Sequence, residues 1–357
     1  MNGTQLHHLL DQIQRSGSLT EQQREQLLQG TDSPWWLSVL LGLAAWIASL
    51  FLIASLFGPW MLLIEGPIGM GLAGVIMLVG GLWLFRRPNV FRDQMGLAFA
   101  LGGQGLLVFA AAESTDLGDG SRPAALVCLL LSAGLLLVPA PMLYRRLCAL
   151  LLLGSVAFLL DNGPALAVYG LMLACAATTA WLTRDRWALS GHALRLRALT
   201  DAATLMALLL ALFGHQGQLD GWINVTTHYL ATPIASLWLM LLIYAGPALL
   251  LLLTIAWLLI KAPLMTRVAA LIAAGVLVLL TYQAPGLLIS CSLGLAAFRA
   301  SSRTWCLLIP AFALFYLGAF YYSLHISLLH KSLLLCASGI VLLAIRYGVR
   351  KTLWRWA

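Results

Sequence analysis

Residues 164–183 read PALAVYGLMLACAATTAWLT, a run of twenty residues without a charge, and Arg184-Asp185-Arg186 follow directly. About twenty apolar residues in a helix cross the hydrocarbon core of a bilayer. Long uncharged runs separated by short charged stretches recur along the 357 residues. Of these residues 61% are hydrophobic and 10% are charged, and the mean hydropathy is +0.91. Soluble domains carry about 25% charged residues. The composition therefore excludes a disordered chain, a nucleic-acid-binding domain and an ordinary soluble enzyme.

Twelve segments have the length and polarity of membrane-spanning helices. They cover residues 36–57, 67–85, 95–112, 124–143, 147–160, 164–183, 199–213, 236–260, 268–282, 286–298, 305–322 and 326–345. The fifth and tenth segments are short, and a short segment either crosses fully or forms a re-entrant element. The sequence thus predicts an all-α polytopic protein whose transmembrane domain occupies residues 34–357 and whose surroundings are the lipid bilayer.

The basic residues indicate how these segments thread the membrane. With the N-terminus in the cytoplasm, nineteen of the 21 Lys and Arg residues fall on the cytoplasmic side, and only Arg122 and Lys331 do not. Cytoplasmic loops carry such an excess of positive charge. We therefore expect both termini in the cytoplasm and an acidic outer face. The net charge of +8 is mainly a topological signal.

The first 33 residues are polar and have a pattern of their own. Leu6, Leu9, Leu10 and Ile13 recur at helical spacing, and Thr20 with Gln23 fits the capping box of a second helix. Residues 1–33 are therefore predicted to form a small cytoplasmic helical hairpin. The hairpin either docks a partner or only packs on the membrane domain.

Motifs for catalysis or cofactor binding are missing from the sequence. It contains no HExxH, GxSxG, P-loop or dinucleotide fingerprint, and its six cysteines form no CxxC pair. The cysteines are expected to pack between helices. We therefore predict no catalytic residue, no cofactor and no metal site, and we expect the protein not to be an enzyme.

Ionisable groups at membrane depth are expensive and are functional candidates by default. Lys331 is the strongest candidate among them, because it lies five residues into segment 326–345. Its side chain either snorkels to the interface or pairs within the bundle, with Glu65 or Gln104 as partner. Other polar residues gather around it in the sequence or are its expected partners, so the candidate functional cluster comprises Glu65, Gln104, Tyr321, Tyr322, His325, Lys331 and Ser332.

Four further residue patterns have structural interpretations. Gln104, with Gly102, Gly103 and Gly105 beside it, is expected to join helices by a hydrogen bond rather than to serve transport. Asp201 opens segment 199–213, where an acid suits the helix dipole. Tryptophans near segment ends, including Trp83, Trp181 and Trp305, are expected to anchor the protein at the interface. Gly246-Pro247 predicts a kink in the eighth segment, which either acts as a hinge or is merely tolerated.

Three stretches resemble an uncharacterised family of bacterial polytopic inner-membrane proteins, a domain of unknown function. They are the hairpin, residues 97–104 (LAFALGGQ), and the terminal stretch with FYYSL at 320–324 and SLLHKS at 327–332. The resemblance covers most of the chain. Members are commonly encoded beside a second membrane protein named for a GDYXXLXY motif, which implies a heteromeric complex and no particular activity.

Two functions follow from these observations as hypotheses. The first is a non-enzymatic subunit of a membrane complex, whose outer mouth receives the GDYXXLXY-type partner. The second is a secondary transporter or permease for a lipid or small solute. If the first two segments are set aside, the other ten split into two groups of five, with the short fifth and tenth segments at matching places, as in an inverted repeat.

Overall fold

The computed structural model describes residues 66–86, 90–114, 121–160, 163–213, 233–281 and 284–323, together with eight single residues. The elements in this part of the chain are helical, and strands do not occur in it. In chain order they are α1 (Pro67–Leu84), α2 (Val90–Glu113), α3 (Ser121–Leu137), α4 (Met142–Leu160), α5 (Gly163–Leu182), the single turn α6 (Arg184–Trp187), α7 (Ala193–Phe213), α8 (Pro233–Leu258), α9 (Leu264–Thr281), α10 (Pro285–Arg299) and α11 (Arg303–Ser323).

The all-α class is confirmed, and the protein is a helical membrane protein. The second to eleventh predicted segments each coincide with one long helix. Among the described residues, five helices are long and apolar enough to cross a bilayer, namely α1, α2, α4, α5 and α9. The count of twelve spans is not confirmed. In the first and twelfth segments only residues 40, 43, 44, 47, 51, 336, 339 and 343 are described, all of them helical, and the predicted hairpin 1–33 lies outside the described residues.

Several helices begin earlier than the sequence predicts, and α4 and α7 show why. The fifth predicted segment is short because it starts after Arg145 and Arg146, but α4 begins at Met142 and has 19 residues. Likewise α7 begins at Ala193, before Arg195 and Arg197. Charged side chains end an apolar run in the sequence, but they do not interrupt the backbone hydrogen bonds of a helix. The start of α4 is marked instead by Pro141, which directly precedes it. The pairing of a short fifth with a short tenth span is therefore wrong, since of these two helices α10, with 15 residues, is short and α4 is not.

The chain forms two compact units, Met1–Ser114 and Thr115–Ala357. In the first unit, α1 and α2 pack through small residues. A Cβ atom added to Gly81 would lie 2.6 Å from the backbone nitrogen of Ala100, and one added to Gly103 would lie 2.5 Å from that of Leu78. The two backbones therefore touch, as in other membrane helix pairs that lack bulky residues at the contact.

The second unit has its core among α5, α7, α8, α10 and α11. Leu173, Leu208, Leu293 and Ile309 are buried in one cluster there. Helix α4 packs on α7 through Ala149, Ala198 and Ala202. Helix α9 packs against α8 and α10 at the edge of this core, and Ala274 is its only buried residue.

Candidate functional site

A carboxylate is buried at one end of the second unit. Asp201 is the ninth residue of α7, and only 6% of it is exposed. The expectation that Asp201 lies in the first turn of its helix is wrong, since the helix starts two turns earlier. A buried carboxylate is stable only where it is paired and hydrogen-bonded.

Two other helices supply the partners of Asp201. Nε of Arg146 on α4 lies 2.7 Å from Oδ2, an ion pair without the alignment of a hydrogen bond. The indole Nε1 of Trp305 on α11 donates to Oδ1 at 2.7 Å. Contacts to an ionised group are stronger than neutral ones. One carboxylate thus joins α4, α7 and α11.

A second buried contact lies one turn farther along α7. Nε1 of Trp181 on α5 donates to Oγ1 of Thr204 at 2.9 Å, and that hydroxyl donates to the carbonyl of Thr200 at 2.7 Å. The Thr204 hydroxyl is therefore used as both acceptor and donor. We call Arg146, Trp181, Asp201, Thr204 and Trp305 the Asp201 cluster.

The interfacial role expected for two tryptophans is wrong. Trp181 and Trp305 are buried, and their N–H groups point to α7 rather than to the membrane surface. Trp83, by contrast, is exposed, as an anchoring tryptophan would be. Position near a span end does not distinguish the two cases. The sequence feature that could have indicated these buried contacts is the polar set Thr200, Asp201 and Thr204. These residues share one face of a helix, because residues three and four apart are neighbours.

An apolar cavity of about 60 Å³ lies toward the other end of the second unit, among α5, α7, α8 and α10. Its fourteen lining residues are all apolar and include Leu171, Leu210, Pro247 and Ile289. A cavity with such walls stays dry and accepts only apolar groups.

The cavity lies beside the predicted kink. Pro247 is buried inside α8, and a Cβ atom added to Gly246 would lie 2.3 Å from Cδ2 of Leu171. Tyr316 on α11 packs against the start of α10, where its hydroxyl accepts the N–H of Gly286 at 3.3 Å. Because residue 246 is a glycine, α8 and α5 can pack closely directly beside Pro247.

Most of the predicted cluster lies outside the described residues. Glu65, His325, Lys331 and Ser332 are in that undescribed part, while Tyr321 and Tyr322 belong to α11. Gln104 is buried in α2, next to the close backbone contact of Gly103. In the described part of the chain, no three His, Cys, Asp or Glu residues are grouped so that they could hold a metal ion.

Comparison with curated proteins and with solved structures found no match. A family described as a domain of unknown function (DUF4401) matches residues 34–352. That range contains each of the helices α1 to α11 described above, including the Asp201 cluster and the cavity. The resemblance inferred from the sequence is thereby confirmed at the level of the family, and the chain belongs to the DUF4401 family.

Proposed function

We propose that this protein is a non-enzymatic subunit of a bacterial inner-membrane complex, with both termini in the cytoplasm and a GDYXXLXY-type membrane protein as its partner. The observation that carries the proposal is the exposure of α9. Of the five described helices that can span a membrane, it is the most apolar and also the least buried. A helix that is apolar all round is surrounded by lipid or by other helices.

The surface of α9 suits contact with a partner helix. Ile272 and Leu279 are exposed and lie two turns apart on one face. Gly275 lies close to them in the sequence, and a Cβ atom added to it would meet nothing within 4 Å. Since association of membrane helices depends on close packing at small residues, a partner helix can approach α9 without displacing any part of its own unit.

The polar groups of the second unit support a structural role rather than a catalytic one. Asp201, Trp181 and Trp305 are used in contacts between helices. A carboxylate held by an ion pair and a hydrogen bond ties a bundle together and is poorly placed to react.

Site-specific crosslinking tests the complex. A photoreactive amino acid replaces Ile272 or Leu279 on α9, and Leu130, an exposed apolar residue of α3, serves as the matched control. We expect the tagged protein to co-purify with the GDYXXLXY-type protein, and crosslinks to form from α9 and not from Leu130. If the two proteins never co-purify and neither α9 position forms a crosslink, the proposal is wrong.

The cavity beside Pro247 favours a second candidate function, a permease for an apolar solute or a lipid. A bulky residue in the cavity, Ala211→Phe, should then slow the flipping of a fluorescent phospholipid in proteoliposomes. Leu130→Phe, on the exposed face of α3, is the control and should leave the rate unchanged. Flipping by the wild-type protein at the rate of protein-free liposomes would exclude lipid permeation.

A further inference from the structure

A basic recess lies at the turn between α10 and α11, at the same end of the second unit as the Asp201 cluster. It is lined by Phe298, Arg299, Ser301, Arg303 and Cys306. The recess is shallow and open, and none of its lining residues is acidic. Trp305, two residues after Arg303, is the buried donor to Asp201. The recess is thus built on a part of the fold that is held by buried contacts.

The turn that carries the recess is a well-formed helix ending. The N–H of Ser302 bonds to the carbonyl of Ala297 at 3.2 Å, and that of Ser301 to the carbonyl of Phe298 at 2.9 Å. These two bonds define a Schellman motif, whose left-handed position is usually occupied by glycine. Here Ser301 occupies it, with φ of 54°. Serine in the left-handed conformation is higher in conformational free energy than glycine would be, but it provides a hydroxyl group that glycine lacks.

Most other arginines at this end of the unit already have partners. Arg184 donates to the carbonyl of Ala300, which also holds the turn in place, and Arg195 donates to the carbonyl of Leu137 at 2.9 Å. Arg267 donates to the carbonyls of Ile260 and Ala262, and Arg146 pairs with Asp201. Each of these guanidinium groups completes a helix end or a buried pair.

Arg299 and Arg303 are placed differently. The guanidinium of Arg299 lies 5.4 Å from the ring centre of Trp257 at the end of α8, a cation–π contact that holds the group in position. Arg303 is exposed at the first position of α11. The carboxylates described in the second unit are Asp185 and Asp201, and neither lines the recess. The field there is positive and is reinforced by the N-terminus of α11, a helix of 21 residues.

Apolar surface flanks these charges. Phe298, directly before Arg299, is 75% exposed, and Leu307, one turn after Arg303 on the same face, is 76% exposed. An amphiphilic ligand with an anionic head and apolar chains matches this surface better than a free ion does.

We propose that the recess binds the phosphate group of an anionic phospholipid. Arg299 and Arg303 contact the phosphate oxygens, Ser301 donates its hydroxyl, and the acyl chains lie along Phe298 and Leu307. Guanidinium groups favour phosphate because their planar N–H donors match its oxygens, and basic pockets between membrane helices are typical binding sites for anionic head groups. The site is independent of the proposed complex, since it uses only residues of this chain.

Lipid retention measured by native mass spectrometry tests the site. The full-length protein is purified from mixed micelles that contain equal amounts of phosphatidylglycerol and phosphatidylcholine. We expect the wild-type protein to retain phosphatidylglycerol preferentially. Each arginine near an anionic surface contributes about fivefold, so Arg299→Gln/Arg303→Gln should lower the preference about 25-fold. The control Arg186→Gln/Arg197→Gln removes the same charge from exposed residues at the same end and should leave the preference unchanged.

A second variant separates binding from folding. Ser301→Gly relieves the left-handed serine, so its unfolding temperature should not fall, while loss of the hydroxyl should weaken phosphatidylglycerol retention. Equal retention by the recess variants and the wild-type protein would overturn the proposal. Displacement of the lipid by millimolar inorganic phosphate or glycerol phosphate would also overturn it, because the site would then be selective for a free phosphate ion.

Discussion

Nε of Arg146 and Oδ2 of Asp201 are 2.7 Å apart, yet the two side chains differ greatly in contact with solvent, being 40% and 8% exposed. The pair is therefore asymmetric. Loss of Asp201 leaves an arginine that can turn outward, whereas loss of Arg146 leaves a carboxylate that cannot.

This asymmetry predicts unequal effects of single substitutions. Arg146→Leu should lower the free energy of unfolding by about 3 kcal/mol, because removing one partner leaves an uncompensated buried charge. Asp201→Leu should cost less, and the double variant should recover part of the loss. Thermal unfolding in detergent measures all three, with Asp185→Leu, at an exposed carboxylate, as control. Equal losses from the two single substitutions would contradict the asymmetry.

Trp305 is the second partner of Asp201, and its role depends on one N–H group. Trp305→Phe keeps an aromatic ring but removes the donor, and hydrogen bonds to charged groups contribute about 1.5–3 kcal/mol. We expect a stability loss within that range. Trp83→Phe, at an exposed position, should have little effect. If both substitutions are equally mild, the indole N–H does not support the carboxylate.

Thr204 accepts the buried N–H of Trp181. Thr204→Val keeps the shape of the side chain but leaves that donor without an acceptor, a loss of about 1–3 kcal/mol. Thr179 is the matched control, because its exposed hydroxyl bonds only to backbone carbonyls of its own helix. Unfolding temperatures of Thr204→Val and Thr179→Val should therefore differ clearly, and identical values would exclude a stabilising role for the contact.

The contact between α1 and α2 predicts opposite results at two glycines of one helix. Alanine is favoured over glycine in helices by about 1 kcal/mol. Gly105→Ala meets nothing within 4 Å and should be neutral or stabilising, whereas Gly103→Ala places its Cβ atom against the backbone of Leu78 and should be destabilising. Unfolding monitored by helical circular dichroism would show this, and a stabilising Gly103→Ala would mean that the two helices are not in contact there.

The helical class and the approximate place of each long described helix were predictable, because a bilayer requires long apolar helices whatever their partners are. The starts of α4 and α7 were not, since hydropathy ends at an arginine while the helix continues through it. The candidate site was predicted less well. Local position suggested a dipole role for Asp201 and an anchoring role for Trp181 and Trp305, and each of these interpretations was wrong.

The sequence by itself determined that this chain is a helical membrane protein, and its motifs pointed to the family. Those properties depend on the composition and on the spacing of residues along the polypeptide chain, and both can be read from a single sequence. Only the tertiary structure decided that Arg146, Asp201 and Trp305 meet. These residues lie on three different helices, and their pairing depends on how the helices pack, because a buried charge must find its partners in space rather than in sequence.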